Sequence, residues 1–241
     1  MKGSTPAGAC TEQEAAAWVR AMFGRVAHRY DLANHLLSFN IDRYWRAHTA
    51  GRVRDILARP EARVLDICCG TGDQMRALER RRHGGVPVAG SDFCHPMLVA
   101  ASAKLGGAPL VEADALDLPL RAGSLDLVTA AFGFRNLANY DAGLREMRRV
   151  LRDGGVAAIL EFSQPPNPAF GALYRFYSRR ILPVVGGLLS GSRDAYRYLP
   201  ESVRKFPSPE ELAASMRAAG FARVEFERLT GGIVALHLGR V

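Results

Sequence analysis

A glycine turn at Gly70 and Gly72 is the part of this sequence best suited to hold a small molecule. It lies in R-V-L-D-I-C-C-G-T-G-D, residues 63–73, where a β-favouring apolar run leads into the turn and a helix-compatible run follows. The two glycines allow a sharp bend and a close approach to a ligand, and the N–H groups that open the helix can face a carboxylate. A dinucleotide fingerprint would need a third glycine where this chain has Met75, so that class of ligand is not indicated.

Three aspartates accompany the ends of the first three predicted strands. Asp66 lies in the strand before the turn, Asp92 follows the second strand, and Asp114 with Ala115 follows the third. An acid about twenty residues after the glycines is placed to accept both hydroxyls of a ribose. Any one of these acids alone would more often be a solvated strand end, and a lone Gly-x-Gly could be an ordinary β-to-α turn. The three acids in register predict a nucleoside-containing cofactor.

The elements that must position these residues alternate between strands and helices. After the third strand we predict a fourth strand over 125–131, a helix over 141–151 and a fifth strand over 156–162. A final helix over 209–219 precedes a hairpin of strands 223–229 and 233–238. The chain is therefore predicted to form an α/β fold whose mostly parallel sheet ends in an antiparallel hairpin.

This layout resembles the class I S-adenosylmethionine-dependent methyltransferases, which have a Rossmann-like sheet of seven strands. The longer blocks F-G-R-V-A-H-R-Y-D-L-A-N-H-L-L-S-F-N-I-D-R-Y-W-R, A-F-G-F-R-N-L-A-N-Y, L-R-E-M-R-R-V-L-R-D-G-G, L-E-F-S-Q-P, Y-R-Y-L-P-E-S-V-R-K-F-P and G-G-I-V-A-L-H are similar to those of the MenG/UbiE family. That family comprises the C-methyltransferases of menaquinone and ubiquinone biosynthesis. The resemblance extends from about residue 18 to residue 239.

The resemblance implies S-adenosylmethionine as cofactor and a set of contacts for it. The glycine turn, with Asp66, would hold the methionine part, Asp92 the ribose and the third strand end the adenine. The expected cofactor-binding residues are Asp66, Gly70, Thr71, Gly72, Asp92, Asp114, Ala115 and Ala131. The family often has Ser at the position of Ala131, so a hydroxyl contact is absent here and backbone groups are expected to suffice.

Domain organisation follows from the same reading. Residues 1–10 are expected to be disordered, and 11–241 to form a single methyltransferase domain. Helices within 11–58 precede the first strand, and a Pro- and aromatic-rich insertion over 163–207 interrupts the alternation. We expect both segments to cap the active site. Thr11 and Glu14 predict a capping box at the start of the first helix.

Composition limits the cellular context. The 241 residues carry a net charge of +8, and the longest apolar run in the C-terminal third is shorter than the ~20 residues of a spanning helix. The start of the sequence has no apolar core typical of a signal peptide, and its four cysteines fit a reducing compartment, with Cys68 and Cys69 as small core residues. We expect a cytoplasmic protein at the inner face of the cell membrane, to which the aromatic and basic segment 170–189 could bind.

Methylation of a quinol carbon requires a base and a cation, because the ring becomes nucleophilic when a hydroxyl loses its proton. Arg135 and Asn136, just past the fourth strand, are expected to stabilise and orient the oxyanion, while Asp73 and Tyr30 organise a proton-accepting water. A structural hydrogen bond or salt bridge is the alternative for each. No His, Cys or carboxylate spacing indicates a metal, and His237 is expected to be structural.

The acceptor expected from the resemblance is a prenylated quinol, with demethylmenaquinol preferred over a benzoquinol of ubiquinone biosynthesis. Another small molecule or an RNA is an alternative acceptor, although no RNA-binding motif is present and no nucleic-acid partner is expected. A non-catalytic cofactor-binding subunit is a further alternative. The sequence leaves open whether the chain forms a homodimer.

Overall fold

The computed structural model describes residues 3, 4, 6, 8–27, 30–181 and 193–241. Within these ranges, the side chains at 30, 32, 33, 179, 181 and 193–197 are outside the description. The described chain is built around one seven-stranded sheet with the strand order β3-β2-β1-β4-β5-β7-β6. The strands are β1 (Val64–Ile67), β2 (Ala89–Asp92), β3 (Leu110–Glu112), β4 (Leu125–Ala131), β5 (Leu151–Phe162), β6 (Arg223–Leu229) and β7 (Val234–Arg240).

The order of the strands creates a crevice at one edge of the sheet. Strands β1 to β5 pair in parallel, whereas β7 pairs antiparallel with both β5 and β6. The chain moves outward from β1 through β2 to β3 and then returns to the other side of β1 with β4. Ligands bind at such a reversal, outside the carboxyl ends of the strands. The predicted fold, with its antiparallel closing hairpin, is confirmed.

Helices cover both faces of the sheet. Those before the last hairpin are α1 (Glu12–Val26), α2 (Tyr30–Leu37), α3 (Ile41–Arg52), α4 (Arg54–Leu57), α5 (Asp73–Glu79), α6 (His95–Leu105), α7 (Tyr140–Val150), α8 (Pro168–Phe176), α9 (Arg193–Lys205) and α10 (Pro209–Ala218). A 3-10 turn spans Phe134–Asn136 and a π-helical turn spans Tyr177–Ile181. Thr11 and Glu14 form the predicted capping box at the start of α1.

Two clusters of buried side chains hold the layers together. On one face, Leu144 and Met147 of α7 and Met216 of α10 pack on the sheet. On the other face, Trp45 of α3 and Met75 of α5 pack on the sheet. Strands buried on both faces need apolar residues in succession, as the buried β5 residues from Val156 to Leu160 illustrate. The rigid sheet fixes the positions of the loops at the carboxyl ends of its strands.

Several boundaries differ from those predicted. The sequence predicts a second strand that begins at Val86 and one helix over 42–58, whereas β2 begins at Ala89 and the helix divides at Val53 into α3 and α4. Within 1–10, whose disorder stays a prediction, Ser4 and Pro6 are buried, and Ser4 N donates to Leu137 O at 2.8 Å. Such backbone pairing depends on a distant partner, so local composition gives no sign of it.

Candidate active site

A cleft of about 840 Å³ lies at the carboxyl ends of the central strands. We call it the strand-end cleft. Its walls come from the loops after β1, β2, β3 and β4 together with α1 and α3. It is lined by Ala16, Phe23, Arg46, Cys68, Cys69, Gly70, Thr71, Asp73, Asp92, Phe93, Met97, Ala113, Asp114, Ala115, Leu116, Ala131, Phe132, Gly133, Asn136, Leu137 and Ala138. The cleft thus brings together the ends of four strands that are far apart in sequence.

Most of the predicted cofactor-binding residues reach this cleft. Six of the eight line it, and the other two, Asp66 and Gly72, are absent from its wall. Gly72 has a φ of 85° and begins α5, and a side chain there would collide with Leu105 of α6. Gly72 therefore permits the tight turn against α6, and its contact with the cofactor stays a prediction.

Asp66 lies behind the turn. Its carboxylate accepts a hydrogen bond from Thr129 Oγ1, and it is 1% exposed. Burial raises the pKa of Asp66 to about 7, although the Thr129 hydrogen bond and the charge of Arg46 act in the opposite direction. The residue therefore supports the turn from below, and its charge depends on pH in the neutral range.

Asp92 faces the strand-end cleft from the end of β2. One carboxylate oxygen accepts from Gly70 N at 2.9 Å and the other accepts from Cys94 N at 2.9 Å. Burial raises the pKa of Asp92, whereas these backbone N–H groups favour the ionised form. A carboxylate oxygen has two lone pairs, so each can still accept a further hydrogen bond from a ribose hydroxyl. The donor and acceptor groups of the cleft fit the expected cofactor.

Backbone strain also concentrates at this edge. Cys68 and Phe132, which follow β1 and β4, have φ values of 51° and 61° although neither is glycine. Residues with side chains rarely adopt this region, and such residues cluster at functional sites. Cys68 and Cys69 line the cleft wall; Cys69 also belongs to one buried core cluster and Cys68 packs against the other, as expected. Burial raises the pKa of both thiols, so they stay protonated at neutral pH.

A cluster of charged side chains closes the end of the cleft beside the glycine turn. Thr71 Oγ1 donates to the carboxylate of Asp31 in α2. Lys104 of α6 lies 2.8 Å from Asp31 Oδ2 and also forms an ion pair with Asp73. Burial alone would raise the pKa of Asp73, but the positive charges of Arg46 and Lys104 outweigh it and hold the pKa below its usual value. Asp73 is therefore an anion that is already paired.

The ion pairs continue into α3. His35 Nδ1 lies 2.8 Å from Asp42 Oδ2, Ser38 Oγ donates to Asp42 Oδ1 at 2.6 Å, and His35 Nε2 is 3.7 Å from Asp73 Oδ2. Within the described part of the chain, His35, Asp42 and Asp73 are the group of potential metal ligands that lie close enough together to share an ion. Arg46 and Lys104 carry positive charge beside it, which opposes binding of a cation.

Arg135 is buried and paired. Its Nη1 lies 2.8 Å from Glu161 Oε1 and donates to Phe132 O, and its backbone N donates to Glu161 Oε2 at 3.1 Å. The two side chains are 6% and 1% exposed. The guanidinium expected to meet an oxyanion is thus paired with a buried carboxylate, and its role toward the acceptor stays a prediction.

The remaining predicted catalytic residues have different surroundings. Asn136 lines the strand-end cleft, and its Oδ1 accepts from Tyr198 Oη at 3.2 Å. Tyr30 is the first residue of α2, but its side chain lies outside the described part of the structure. His237 is 2% exposed, its Nε2 lies 2.9 Å from Pro209 O, and it is absent from the wall of the strand-end cleft. The roles of Arg135, Asn136, Asp73 and Tyr30 stay predictions.

A second, larger cavity adjoins the strand-end cleft. Its volume, including space open to solvent, is about 1410 Å³, and we call it the apolar cavity because most of its wall is aliphatic or aromatic. It is lined by Asn34, Leu37, Ser38, Phe39, Ile41, Asp42, Trp45, Arg46, Phe132, Arg135, Phe162, Phe170, Leu173, Tyr174, Phe176, Tyr177, Leu199, Thr230 and Ile233. Arg46 and Phe132 line both spaces. The boundary between the cleft and the cavity therefore passes through these two side chains.

Arg46 is the functional candidate that sequence reasoning missed. Its guanidinium carbon lies 5.1 Å from the centre of the Phe132 ring, and its Nε is buried without a hydrogen-bond partner in the described structure. This Nε lies 3.8 Å from Asp42 Oδ2. The block D-R-Y-W-R contains Arg46, but nothing in its spacing indicates that α3 would place this residue at the sheet edge.

Comparison with known proteins identifies the family. A sequence model of the ubiE/COQ5 methyltransferase family matches residues 10–240. The chain belongs to this family. Demethylmenaquinone methyltransferase of Thermus thermophilus is 49% identical over 222 residues, which are 90% of this chain and 99% of the relative. The ubiquinone/menaquinone biosynthesis C-methyltransferase UbiE of Syntrophotalea carbinolica is 44% identical over 224 residues, which are 91% of this chain and 92% of the relative.

A solved structure agrees with the fold assignment. A S-adenosylmethionine-dependent methyltransferase of Thermotoga maritima superimposes with a TM-score of 0.65 at 18% identity, covering 92% of this chain and 99% of the other. Identity at this level supports the fold alone. Together with the family match, it confirms that this member of the ubiE/COQ5 family is an S-adenosylmethionine-dependent methyltransferase, as the sequence motifs predicted.

Proposed function

We propose that the protein transfers a methyl group to a ring carbon of a prenylated quinol, and that demethylmenaquinol is its acceptor. The observation that carries this proposal is the apolar cavity of about 1410 Å³ that adjoins the strand-end cleft. A methyl acceptor must meet the donor at the boundary between the two spaces. A quinol ring placed there leaves its prenyl tail in the aromatic and aliphatic surroundings that such a tail requires.

The strand-end cleft would hold S-adenosylmethionine through the residues on its wall. Asp92 would accept the ribose hydroxyls, Asp114 and Ala115 would contact the adenine, and Gly70 and Thr71 would contact the methionine part. When bound, the cofactor supplies an electrophilic methyl group on a sulfonium. The chain's own residues then have to position the acceptor, exclude water and accommodate the charge and the proton of the acceptor hydroxyl.

Arg46 is the cation we assign to the acceptor hydroxyl. It lines both spaces, and its Nε lies 3.8 Å from Asp42 Oδ2, whereas Arg135 lines the apolar cavity alone and is paired with Glu161 at 2.8 Å. A positive charge beside a hydroxyl that is losing its proton lowers the free energy of the oxyanion. We therefore propose that Arg46 stabilises the ionised quinol, while the pair of Arg135 and Glu161 fixes the wall behind it.

The proton of the hydroxyl can pass to the acidic cluster beside Arg46. Asp42 lines the apolar cavity and is hydrogen-bonded to His35, and Asp73 lines the strand-end cleft. His35 lies between the two carboxylates, 2.8 Å from Asp42 Oδ2 and 3.7 Å from Asp73 Oδ2. Asp73 and Tyr30 keep the role predicted for them in organising the water that accepts the proton, and Asn136 keeps its predicted role in orienting the oxyanion.

A substrate with a prenyl tail has to be collected from a membrane. No described helix is long and apolar enough to cross a bilayer. We propose that the protein acts from the cytoplasmic face, where α8 and the turn after it contact the lipid surface. Leu173 and Phe176 of α8 are exposed beside the exposed Arg175 and Arg180, a combination suited to an anionic interface. Arg179, the third arginine of this predicted cluster, has a side chain outside the described structure.

The choice between quinols can be tested directly. The purified full-length chain would receive S-adenosylmethionine with an isotopically labelled methyl group, together with a reduced demethylmenaquinol or a reduced demethyl-benzoquinol of equal tail length. We expect label on the naphthoquinol ring, with a higher kcat/KM than for the benzoquinol, and no transfer to the oxidised quinones. A higher kcat/KM for the benzoquinol would show that the benzoquinol is the preferred acceptor. Label on neither ring would refute the proposal.

A further inference from the structure

Exposed apolar side chains are concentrated around the apolar cavity. The described residues include eight large hydrophobic side chains that are exposed, and six of them come from two segments. One segment comprises the end of α2, the α2–α3 turn and the first residues of α3, and the other is the second half of α8. The six residues are Leu36, Phe39, Ile41, Tyr44, Leu173 and Phe176, and we call them the apolar rim. Contiguous apolar exposure of this kind marks an interaction surface.

The two segments of the apolar rim touch each other. Tyr177 Oη donates to Leu37 O at 2.8 Å, and the ring centres of Phe39 and Tyr177 lie 6.2 Å apart. Four of the six rim residues also line the apolar cavity. Because these side chains are exposed at one end and line the cavity at the other, the apolar cavity opens to the surface within the rim.

The turn between α2 and α3 holds an aromatic side chain in solvent. Phe39 and Asn40 have φ values of 53° and 60°, a region that residues with side chains rarely adopt. Phe39 is nevertheless 74% exposed, the largest exposure among the exposed hydrophobic side chains. A strained turn that displays a phenylalanine gains nothing in the isolated protein, which points to a partner that buries it.

We propose that the apolar rim is the surface that seats the protein on an anionic lipid bilayer, with the α2–α3 turn entering the interface alongside α8. This inference rests on the proposed function, because a prenylated acceptor resides in the bilayer. Three exposed arginines lie beside the rim: Arg43 in α3, Arg175 in α8 and Arg180 in the π-helical turn after α8. Basic residues beside apolar ones match the charge of an anionic leaflet.

A second copy of the chain fits this surface less well. A two-fold interface places a patch against itself, so the arginines beside the rim would approach their own counterparts. A bilayer instead meets the arginines with negative headgroups and meets Phe39 and Phe176 with acyl chains. It also lets the prenyl tail pass from lipid into the apolar cavity without crossing water. The α2–α3 turn and α8 would then form the two sides of the entrance.

Two pairs of substitutions test this surface. Leu36 and Tyr44 belong to the rim but do not line the apolar cavity, and they are 47% and 57% exposed. Val86 and Val99 are 42% and 56% exposed and lie outside the rim. The double variant Leu36→Ser/Tyr44→Ser is compared with the control Val86→Ser/Val99→Ser. Both pairs remove similarly exposed apolar side chains from the surface. The comparison therefore tests whether their location in the rim matters.

The measurement is co-sedimentation with phosphatidylglycerol and phosphatidylcholine vesicles. We expect the rim variant to bind about tenfold or more weakly than the unmodified chain, the effect of losing large apolar side chains from an interface. We expect the control to differ by less than about twofold. If vesicle binding weakens equally in both variants, or in neither, the inference is overturned. A rim substitution that converts a dimer to a monomer without vesicles would also overturn it, because the rim would then join two copies.

An activity measurement separates this inference from the proposed function. On a short-tailed quinol in free solution, the unmodified chain and the rim variant should turn over equally. On a long-tailed quinol in vesicles, the rim variant should be slower by about the factor lost in vesicle binding. If the unmodified chain methylates neither quinol, the proposed function fails whatever the vesicles show. If it methylates both and the rim variant matches it on vesicles, the inference about the surface fails alone.

Discussion

Arg135 and Glu161 form a buried ion pair in which Nη1 and Oε1 lie 2.8 Å apart. The arginine follows β4, the glutamate lies near the end of β5, and these strands are neighbours in the sheet. The Arg135 guanidinium carbon also lies 5.4 Å from the centre of the Phe162 ring. These two contacts and the hydrogen bond that Arg135 Nη1 donates to Phe132 O fix the side chain against the sheet. The pair therefore supports the boundary between the strand-end cleft and the apolar cavity.

Replacing Arg135 by Gln should destabilise the fold, because Glu161 would keep a buried charge without its partner. Loss of one member of a buried pair costs about 3–5 kcal/mol. The control is Arg135→Gln combined with Glu161→Gln, which leaves no unpaired charge and should recover part of the loss. Unfolding by urea would measure both variants. A single variant as stable as the unmodified chain would show that the pair is dispensable for folding.

Replacing Asp92 by Asn should weaken S-adenosylmethionine binding while leaving the chain folded. The side chain loses its negative charge. The amide nitrogen of the new asparagine would face Gly70 N or Cys94 N, and these are hydrogen-bond donors like itself. We expect a loss on the order of 1.5–3 kcal/mol, which corresponds to hydrogen bonds to a charged group. Titration calorimetry measures the affinity, with Asp55→Asn as a control because the Asp55 side chain is 95% exposed. Unchanged affinity in a folded variant would contradict the ribose assignment.

Local rules predicted much of the fold. The capping box of Thr11 and Glu14 and the bounds of β6 are as expected, because both depend on residues that are close in sequence. The pair of Arg135 and Glu161 was missed, although a glutamate within the apolar run of β5 signals a buried charge that needs a partner. Arg46 offered no such signal. Its position depends on how α3 docks on the sheet, which is a property of long-range packing.

His237 should make stability depend on pH. Burial is the main cause that lowers the pKa of His237 from 6.5 to about 4 in the folded chain. Between these values the unfolded chain binds the proton and the folded chain does not, so stability falls as pH decreases from 6.5 to about 4. The contribution amounts to about 3 kcal/mol. Below that range both states are protonated and the effect of this residue levels off.

Urea unfolding at several pH values would measure this contribution. His237→Gln cannot take up the proton, so its stability should fall less than that of the unmodified chain over the same range. His83 is exposed and provides the matched control, because His83→Gln should leave the slope unchanged. Parallel pH dependences for the unmodified chain and His237→Gln would mean that the buried imidazole is not responsible.

Replacing Arg46 by Gln should slow methyl transfer without weakening cofactor binding. If Arg46 stabilises the ionised acceptor, kcat should fall about 100-fold or more at neutral pH, as when an oxyanion donor is removed. The pKa of the bound quinol hydroxyl should rise in the variant, so its kcat should recover as pH increases. Arg46→Lys keeps the positive charge and should retain part of the rate. A residue that merely supports the fold would not shift the pH profile.

The control for this prediction is Arg43→Gln, on the exposed side of the same helix one turn earlier. It should leave kcat, the pH profile and the affinity for S-adenosylmethionine unchanged. Calorimetry on Arg46→Gln decides between two roles that the position of Arg46 allows. If the cofactor affinity falls and kcat is kept, Arg46 binds the cofactor carboxylate in the strand-end cleft. If kcat falls with an altered pH profile and the affinity is kept, its charge acts on the acceptor, since an anionic acceptor exists only after the quinol begins to ionise.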